Sequence, residues 1–244
     1  MKTQRLGSSP LQVSRIALGC MRMSQDREEA MASIRAALDQ GINFFDHADV
    51  YGGGKREETF SAIWDEMPGL RSRVFVQSKC GIRRGSEDGR IPTRYDFSYE
   101  HIMVSVQGSL QRLKTDCLDV LLLHRPDALV EPEEVARAFD ELHRRGQVRW
   151  FGVSNHTAAQ MQLLQRWVQQ PLVANQLELS LLHTALLDEG IVMNRDTTTP
   201  TRNEGALEYC RLHDITIQAW GPLAAGALGK MAAAPNPRLE GAAA

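Results

Sequence analysis

The stretch DVLLLHRPD, residues 119–127, is an unbroken apolar run that stops at a histidine, with a proline two residues on. An amphipathic helix would break such a run with polar residues once per turn, and a half-exposed strand would alternate. Continuous Val and Leu fits a strand buried on both faces, as parallel strands covered by helices are. Runs of the same kind recur at residues 14–20, 42–47, 73–79, 148–154, 172–176 and 215–220, making seven with 118–124. Between them the apolar spacing changes to a helical period: Met31, Ile34 and Leu38, then Ile102, Val106, Leu110 and Leu113, then Val135, Phe139 and Leu142, then Met161, Leu164 and Val168. Ser24 and Ser98 stand where N-caps belong, Pro132 near a first helical turn, and Gly41 and Gly146 where helices end.

Repeated strand–helix units of about 30 residues close either into a doubly wound sheet or into an eight-stranded barrel. No GxGxxG follows the first run, so the dinucleotide fingerprint of the doubly wound class is missing. Polar residues, in contrast, recur at the C-terminal ends of the runs: Asp46, Lys79, His124, Ser154, Asn155 and Gln176. That is the face on which β/α barrels build their sites, so the pattern predicts an α/β chain of the (β/α)8 TIM type, one domain over residues 1–244.

Composition narrows the function. The 244 residues carry 28 Lys plus Arg against 30 Asp plus Glu, a formal charge of −2, and are 43% hydrophobic. This is the profile of a soluble globular protein, with no basic footprint for nucleic acid and no apolar run of the roughly 18 residues a membrane span needs. The first residues lack the apolar centre of a secretory signal, and Cys20, Cys80, Cys117 and Cys210 form no CxxC pair, which predicts a reduced, cytoplasmic setting without a cysteine metal site. Two long polar stretches, residues 81–94 and 193–203, read as loops with the character of lids or disordered segments. Gly52 to Gly54 before Lys55 do not make a phosphate loop, because no Ser or Thr follows the lysine.

Chemistry gathers at the second, third and fourth runs. Asp46 and Tyr51 lie in FFDHADVYGGG, Lys79 ends the third run and His124 the fourth, so one face receives a carboxylate, a phenol, an ammonium and an imidazole. A free tyrosine titrates near ~10 and exchanges protons poorly at neutral pH, and a nearby ammonium stabilises its phenolate and lowers that value. Asp46 would hold and orient Lys79 through a charge-assisted bond, and His124 would donate to a developing oxyanion or relay protons. A lysine in such a barrel also suits a Schiff base, as in an aldolase or isomerase.

The order Asp46, Tyr51, Lys79, His124 within DHADVYGG, VFVQSKCGI and DVLLLHRPD resembles the aldo-keto reductase superfamily, in particular its bacterial oxidoreductase branch. LGCMRM at residues 18–23, VRWFGVSN at 148–155, ANQLELS at 174–180 and IQAWGPLAAGALG at 217–229 match later and earlier strands of the family in order. The resemblance implies NADPH-dependent reduction of aldehyde or ketone carbonyls, with NADH also possible and a small carbonyl compound as the partner. It implies that Tyr51 protonates the carbonyl oxygen, Lys79 and Asp46 tune it, and His124 orients the substrate. It further implies that Ser154, Asn155 and Gln176 hold the nicotinamide carboxamide with Asp46 nearby, and that Trp220 stacks on the ring. Gly19 and Met21 would border the cofactor, and Gly221, Pro222 and Leu223 would run along its pyrophosphate.

Plainer readings stand beside these. Ser154-Asn155 also fits a strand-end turn that caps the next helix, Gln176 a satisfied core amide, and Trp220 core packing. His47 fits either a pocket wall or an ordinary partly buried histidine, and Cys80 reads as packing. Members of the resembled family continue with a helix, an eighth strand and a final helix, so the expectation is a C-terminally truncated chain in which residues 230–244 are a partial helix or disordered. No residue can then be assigned to clamp the adenosine 2'-phosphate. Unpaired barrel edges would favour self-association, and a weakly active or purely cofactor-binding regulatory barrel becomes the alternative.

Overall fold

A computed structural model describes residues 1–86, 88–188 and 205–231. The chain opens with an antiparallel hairpin, β1 (Thr3–Arg5) and β2 (Gln12–Ser14). The strand–helix alternation then runs β3 (Leu18–Gly19), α1 (Arg27–Asp39), β4 (Phe44–Asp46), α2 (Lys55–Ser61), α3 (Ile63–Glu66) and β5 (Phe75–Cys80). A second short hairpin, β6 (Ile82–Arg83) and β7 (Arg94–Tyr95), precedes α4 (Tyr99–Leu113), β8 (Leu118–Leu123), α5 (Pro132–Arg144), β9 (Val148–Ser154) and α6 (Ala158–Gln165). Then follow β10 (Leu172–Glu178), α7 (Ala185–Asp188), α8 (Ala206–Leu212), β11 (Thr216–Trp220) and α9 (Ala227–Met231).

Seven strands form one parallel sheet in the order β3-β4-β5-β8-β9-β10-β11, each beside its predecessor in that series. Each of the seven predicted runs supplies one of these strands. In a flat sheet β5 and β11 would lie about 19 Å apart, four inter-strand spacings. Yet Gln77 on β5 and Gln218 on β11 hydrogen-bond at 2.9 Å, so the sheet is rolled into a half-barrel with those side chains inside. Among the described residues β3 and β11 are its edges.

Helices cover the outside through the predicted stripes: Met31 and Ile34 of α1, Ile102, Val106 and Leu113 of α4, Val135 and Phe139 of α5 and Met161 of α6 are all buried in one core. The N-terminal end of the rolled sheet is closed by the first hairpin, whose Leu6, Leu11 and Val13 pack on Phe44, Val120, Leu122, Val173 and Ala174. Gly7 between the hairpin strands has φ +53, and an added Cβ there would lie 2.3 Å from the Val173 carbonyl oxygen, so only glycine fits so close to the sheet.

Three segments differ from what their residues predict. Residues 14–20 are not one strand: Ser14 ends the hairpin and only Leu18–Gly19 joins the sheet. Asp26, not Ser24, caps α1 by accepting from the Glu29 amide, while Ser24 braces the cap by accepting from the Asp26 amide and donating to the Glu29 carboxylate. The 81–94 stretch is partly ordered by pairing of β6 with β7. Ser98 caps α4, Pro132 opens α5, and Gly41 and Gly146 adopt positive φ just past α1 and α5, all as expected. The 193–203 loop and residues 232–244 lie outside the described residues; α9 accounts for residues 227–231.

Candidate active site

Interior side chains change character along β4, β8 and β10. Phe44 is followed two positions on by Asp46, Leu122 by His124, and Ala174 by Gln176, so the apolar interior near the first hairpin gives way to a polar one at the C-terminal ends. Period-two alternation keeps these residues on the same face.

Lys79 is the hub. Its side chain is fully buried and its Nζ donates to Asp46 Oδ2 at 2.7 Å, to the His47 carbonyl oxygen at 2.8 Å and to the Tyr51 hydroxyl oxygen at 3.0 Å. Those three bonds use all three ammonium protons. Burial alone pulls an ammonium toward neutrality, but Asp46 and then Tyr51 hold the Lys79 pKa above the ordinary lysine value. Tyr51 goes the other way from the simple expectation. Burial raises its pKa, and the lowering by Lys79 offsets this only in part, so the phenol stays protonated in the free protein. Because Lys79 donates to the phenol oxygen, the phenolic proton itself remains available. His124 stands edge-on to Tyr51, ring centroids 5.8 Å apart, and burial followed by Lys79 pushes its pKa down to about 3, which makes it a neutral imidazole.

The loop that presents Tyr51 is built from glycines. Gly52, Gly53 and Gly54 all have positive φ, and an added Cβ at Gly54 would lie 2.8 Å from Arg112. Arg112 passes that point to donate to Glu57 Oε2 at 2.8 Å, while Ser78 Oγ donates to Glu57 Oε1 at 2.6 Å. The buried Glu57 thus ties α2, α4 and β5 together. Asp49, in the same loop, has its pKa pushed up to about 7 by burial and by the nearby Glu57 carboxylate.

The expected cofactor residues also gather at the strand ends. Ser154 Oγ donates to the Gln176 carbonyl oxygen at 2.9 Å. Asn155, with φ +62, donates from Nδ2 to the His124 carbonyl oxygen at 3.2 Å and accepts at Oδ1 from Trp220 Nε1 at 3.0 Å. These two residues do not cap the following helix; Thr157 does, in a capping box with Gln160. The Gln176 amide donates to Asp46 Oδ1 at 3.2 Å and to Gln218 Oε1 at 3.0 Å, and no described residue donates to its own oxygen. Gly19 and Gly221 have open space where a Cβ would stand, and Met21 and Leu223 are exposed beside them. Pro222 follows Gly221 in the turn after β11, at the same end of the sheet.

A nicotinamide ring with its carboxamide fits this donor set: Gln176 offers a free acceptor oxygen, Ser154 and Asn155 adjoin it, and the Trp220 indole is fixed by its bond to Asn155. The Arg125 guanidinium lies 5.6 Å over the Trp220 ring with no carboxylate within ion-pair distance among the described residues. His47 is not a pocket wall. It is fully buried, 4.5 Å edge-on to Phe60, and only its carbonyl oxygen serves the site. Cys80 is buried packing, as read.

Sequence reasoning missed Gln77, Gln218, Glu57, Arg112 and Arg125. Gln77 and Gln218 were legible in principle, since each stands two residues before a singled-out position, Lys79 and Trp220, and so shares its face. Among the described residues no three metal-ligating side chains cluster, and no helix is long and apolar enough to cross a membrane.

Comparison with known proteins accords with this geometry. The model of the aldo/keto reductase family matches residues 15–240. The uncharacterized oxidoreductase YcsN of Bacillus subtilis is 38% identical over 222 residues, covering 88% of this chain and 69% of that protein. A 6-dehydroglucose reductase of Agrobacterium fabrum is 37% identical over 227 residues, covering 91% and 71%. Among solved structures, the glycerol dehydrogenase of Gluconobacter oxydans superposes with a TM-score of 0.76 at 29% identity, over 97% of this chain and 67% of that one. The chain therefore spans about two thirds of the length of these relatives. With the match running from the first parallel strand past the last, the chain belongs to the aldo/keto reductase family of oxidoreductases.

Proposed function

We propose that the protein reduces aldehyde or ketone carbonyls to alcohols with NADPH, or NADH in its place, as hydride source. The observation that carries this reading is the single Lys79 ammonium bonded at once to Asp46 and to the Tyr51 hydroxyl at the mouth of the half-barrel. When bound, the nicotinamide cofactor supplies the hydride that the carbonyl carbon accepts.

The protein's own groups handle the oxygen. Neutral His124 donates a hydrogen bond that orients the carbonyl and favours charge building on it. Tyr51 gives its phenolic proton to that oxygen, the O–H bond of the tyrosine breaking as that of the alcohol forms, and the phenolate left behind is stabilised by the adjacent ammonium of Lys79. Asp46 keeps Lys79 charged through this change and takes no proton itself. Water then returns a proton to Tyr51. Gln176, Ser154 and Asn155 hold the carboxamide, Trp220 supports the ring, and Gly19, Met21, Gly221, Pro222 and Leu223 border the rest of the cofactor.

The test is titration of the purified chain with NADPH, and with NADH in parallel, followed by quenching of tryptophan fluorescence, then addition of benzaldehyde with the loss of NADPH absorbance recorded. Saturable quenching and aldehyde-dependent NADPH consumption are expected. A folded chain that consumes no NADPH, or that forms a borohydride-trapped imine on Lys79 with a carbonyl substrate, contradicts the reading.

A further inference from the structure

Three glutamines cross the interior of the half-barrel, and two of them have no place in the chemistry so far. Gln77 is fully buried on β5, directly beside Asp46 of β4 in register. Its Nε2 donates to Asp46 Oδ1 at 2.6 Å and to Gln218 Oε1 at 2.9 Å, and its Oε1 accepts from Gln218 Nε2 at 3.0 Å. Gln218 Oε1 also accepts from Gln176. The direction of every bond is dictated from one end: a carboxylate only accepts, so Gln77 must turn its NH2 toward Asp46. That orientation in turn fixes the pairing with Gln218.

The consequence reaches two places. Asp46 Oδ2 serves Lys79, and Oδ1 is held by the short bond from Gln77 and the longer one from Gln176, so Gln77 sets the angle of the carboxylate that sets the lysine. Gln218 stands two residues before Trp220 on β11, an edge strand among the described residues, and so points to the same side as the indole. Among the described residues, the side-chain hydrogen bonds that reach these two residues from outside β10 are Gln218 to Gln77, across the interior, and Trp220 to Asn155 at the strand ends.

We propose that Gln77 and Gln218 are positioning residues whose reciprocal amide pair fastens the strand carrying Trp220 to the Asp46–Lys79 pair, coupling the seat of the nicotinamide ring to the orientation of the Tyr51 proton donor. The inference rests on the reductase reading for its link to the cofactor. Buried amides that satisfy one another act as a unit, because loss of either partner strands the other in a dry interior.

The experiment is a double-mutant cycle on the full chain with Gln77→Met and Gln218→Met, which keep volume and remove the amide. In urea unfolding the double variant is expected to shift the midpoint no further than the worse single variant; additive shifts overturn the clasp. In NADPH titrations Gln77→Met, which touches no cofactor, is expected to raise the Kd about tenfold, whereas an unchanged Kd overturns the coupling. In turnover with benzaldehyde it is expected to lower kcat about 10- to 100-fold and to move the pH profile, with KM for the aldehyde little changed. A kcat loss with an unmoved profile marks Gln77 as merely structural and overturns the proposal. Should Gln77→Met fail to fold, Gln77→Glu keeps the acceptor for Gln218 but sets a second carboxylate against Asp46, so turnover should fall as pH rises; a wild-type pH profile is then the overturning result. If wild type binds no NADPH, the reductase reading fails and the coupling to the cofactor falls with it, while the urea cycle separately decides whether the glutamines form a clasp.

Discussion

The two ends of the rolled sheet are made by the same strands and differ in what they leave unsatisfied. At the N-terminal end the interior is sealed by Leu6, Leu11 and Val13 of the first hairpin. A fully buried acid toward that end, Asp119, accepts from Arg71 at 2.9 Å, from Arg149 at 2.7 Å and from the Val76 amide at 2.9 Å. At the C-terminal end the buried pair Asp46–Lys79 reaches outward through Tyr51, and among the described residues the buried His124 Nδ1 has no partner and Gln176 Oε1 accepts from none. A structure-only role needs closed polar networks, as at Asp119. Hydrogen-bonding capacity left open beside a buried charge is what a site for a ligand requires.

The contrast can be broken most severely at Lys79. Lys79→Met leaves the Asp46 carboxylate buried without its counter-charge, a change expected to cost about 3–5 kcal/mol and to reduce turnover by more than about 100-fold. Urea unfolding and steady-state assays check both, and a stable, active variant would dissolve the distinction between the ends. Gly152 lies between them. An added Cβ would meet the Ala174 carbonyl oxygen at 2.6 Å and Leu122 Cδ2 at 2.7 Å, so Gly152→Ala is expected to cost about 2–3 kcal/mol by forcing strands β9 and β10 apart.

Asp119→Ala isolates the closed end. It removes a satisfied acceptor but leaves Arg71 and Arg149 with access to water, so a loss of about 1–3 kcal/mol is expected with turnover per folded molecule unchanged. Reduced turnover in the folded variant would show that the lower end contributes to the chemistry. The smallest effect is expected from Asp49. Its folded pKa, pushed up to about 7, lies above the 3.8 of a free carboxyl, so its contribution to stability is present at low pH and is lost as pH rises between those values. Asp49→Asn should therefore stabilise the protein at pH 8 and by much less at pH 4, read from melting curves at both.

Much of this was legible in the residues. Continuous apolar runs are unambiguous when both faces of a strand are buried, which is why β5, β8, β9 and β10 were placed within two residues at either end. The first hairpin was not legible, because three-residue strands with a single buried face carry too little alternation to register. Asp46, Tyr51, Lys79 and His124 were found because reactive groups at strand ends are conspicuous. Their supports were not: Gln77 and Gln218 sit mid-strand as neutral residues, and their meaning appears only when the sheet curls and brings β5 against β11. The direction of the Tyr51 shift also required burial to be known, since charge alone argues the opposite sign.

The most direct measurement is the single-turnover rate of NADPH oxidation by benzaldehyde in Tyr51→Phe, beside wild type and with melting curves for both. A rate lower by about 10²–10⁴ with the melt unchanged is expected, because the phenol oxygen is one of three acceptors around Lys79 and the other two remain. A wild-type rate in the folded variant would contradict it, and would remove Tyr51 as the proton donor.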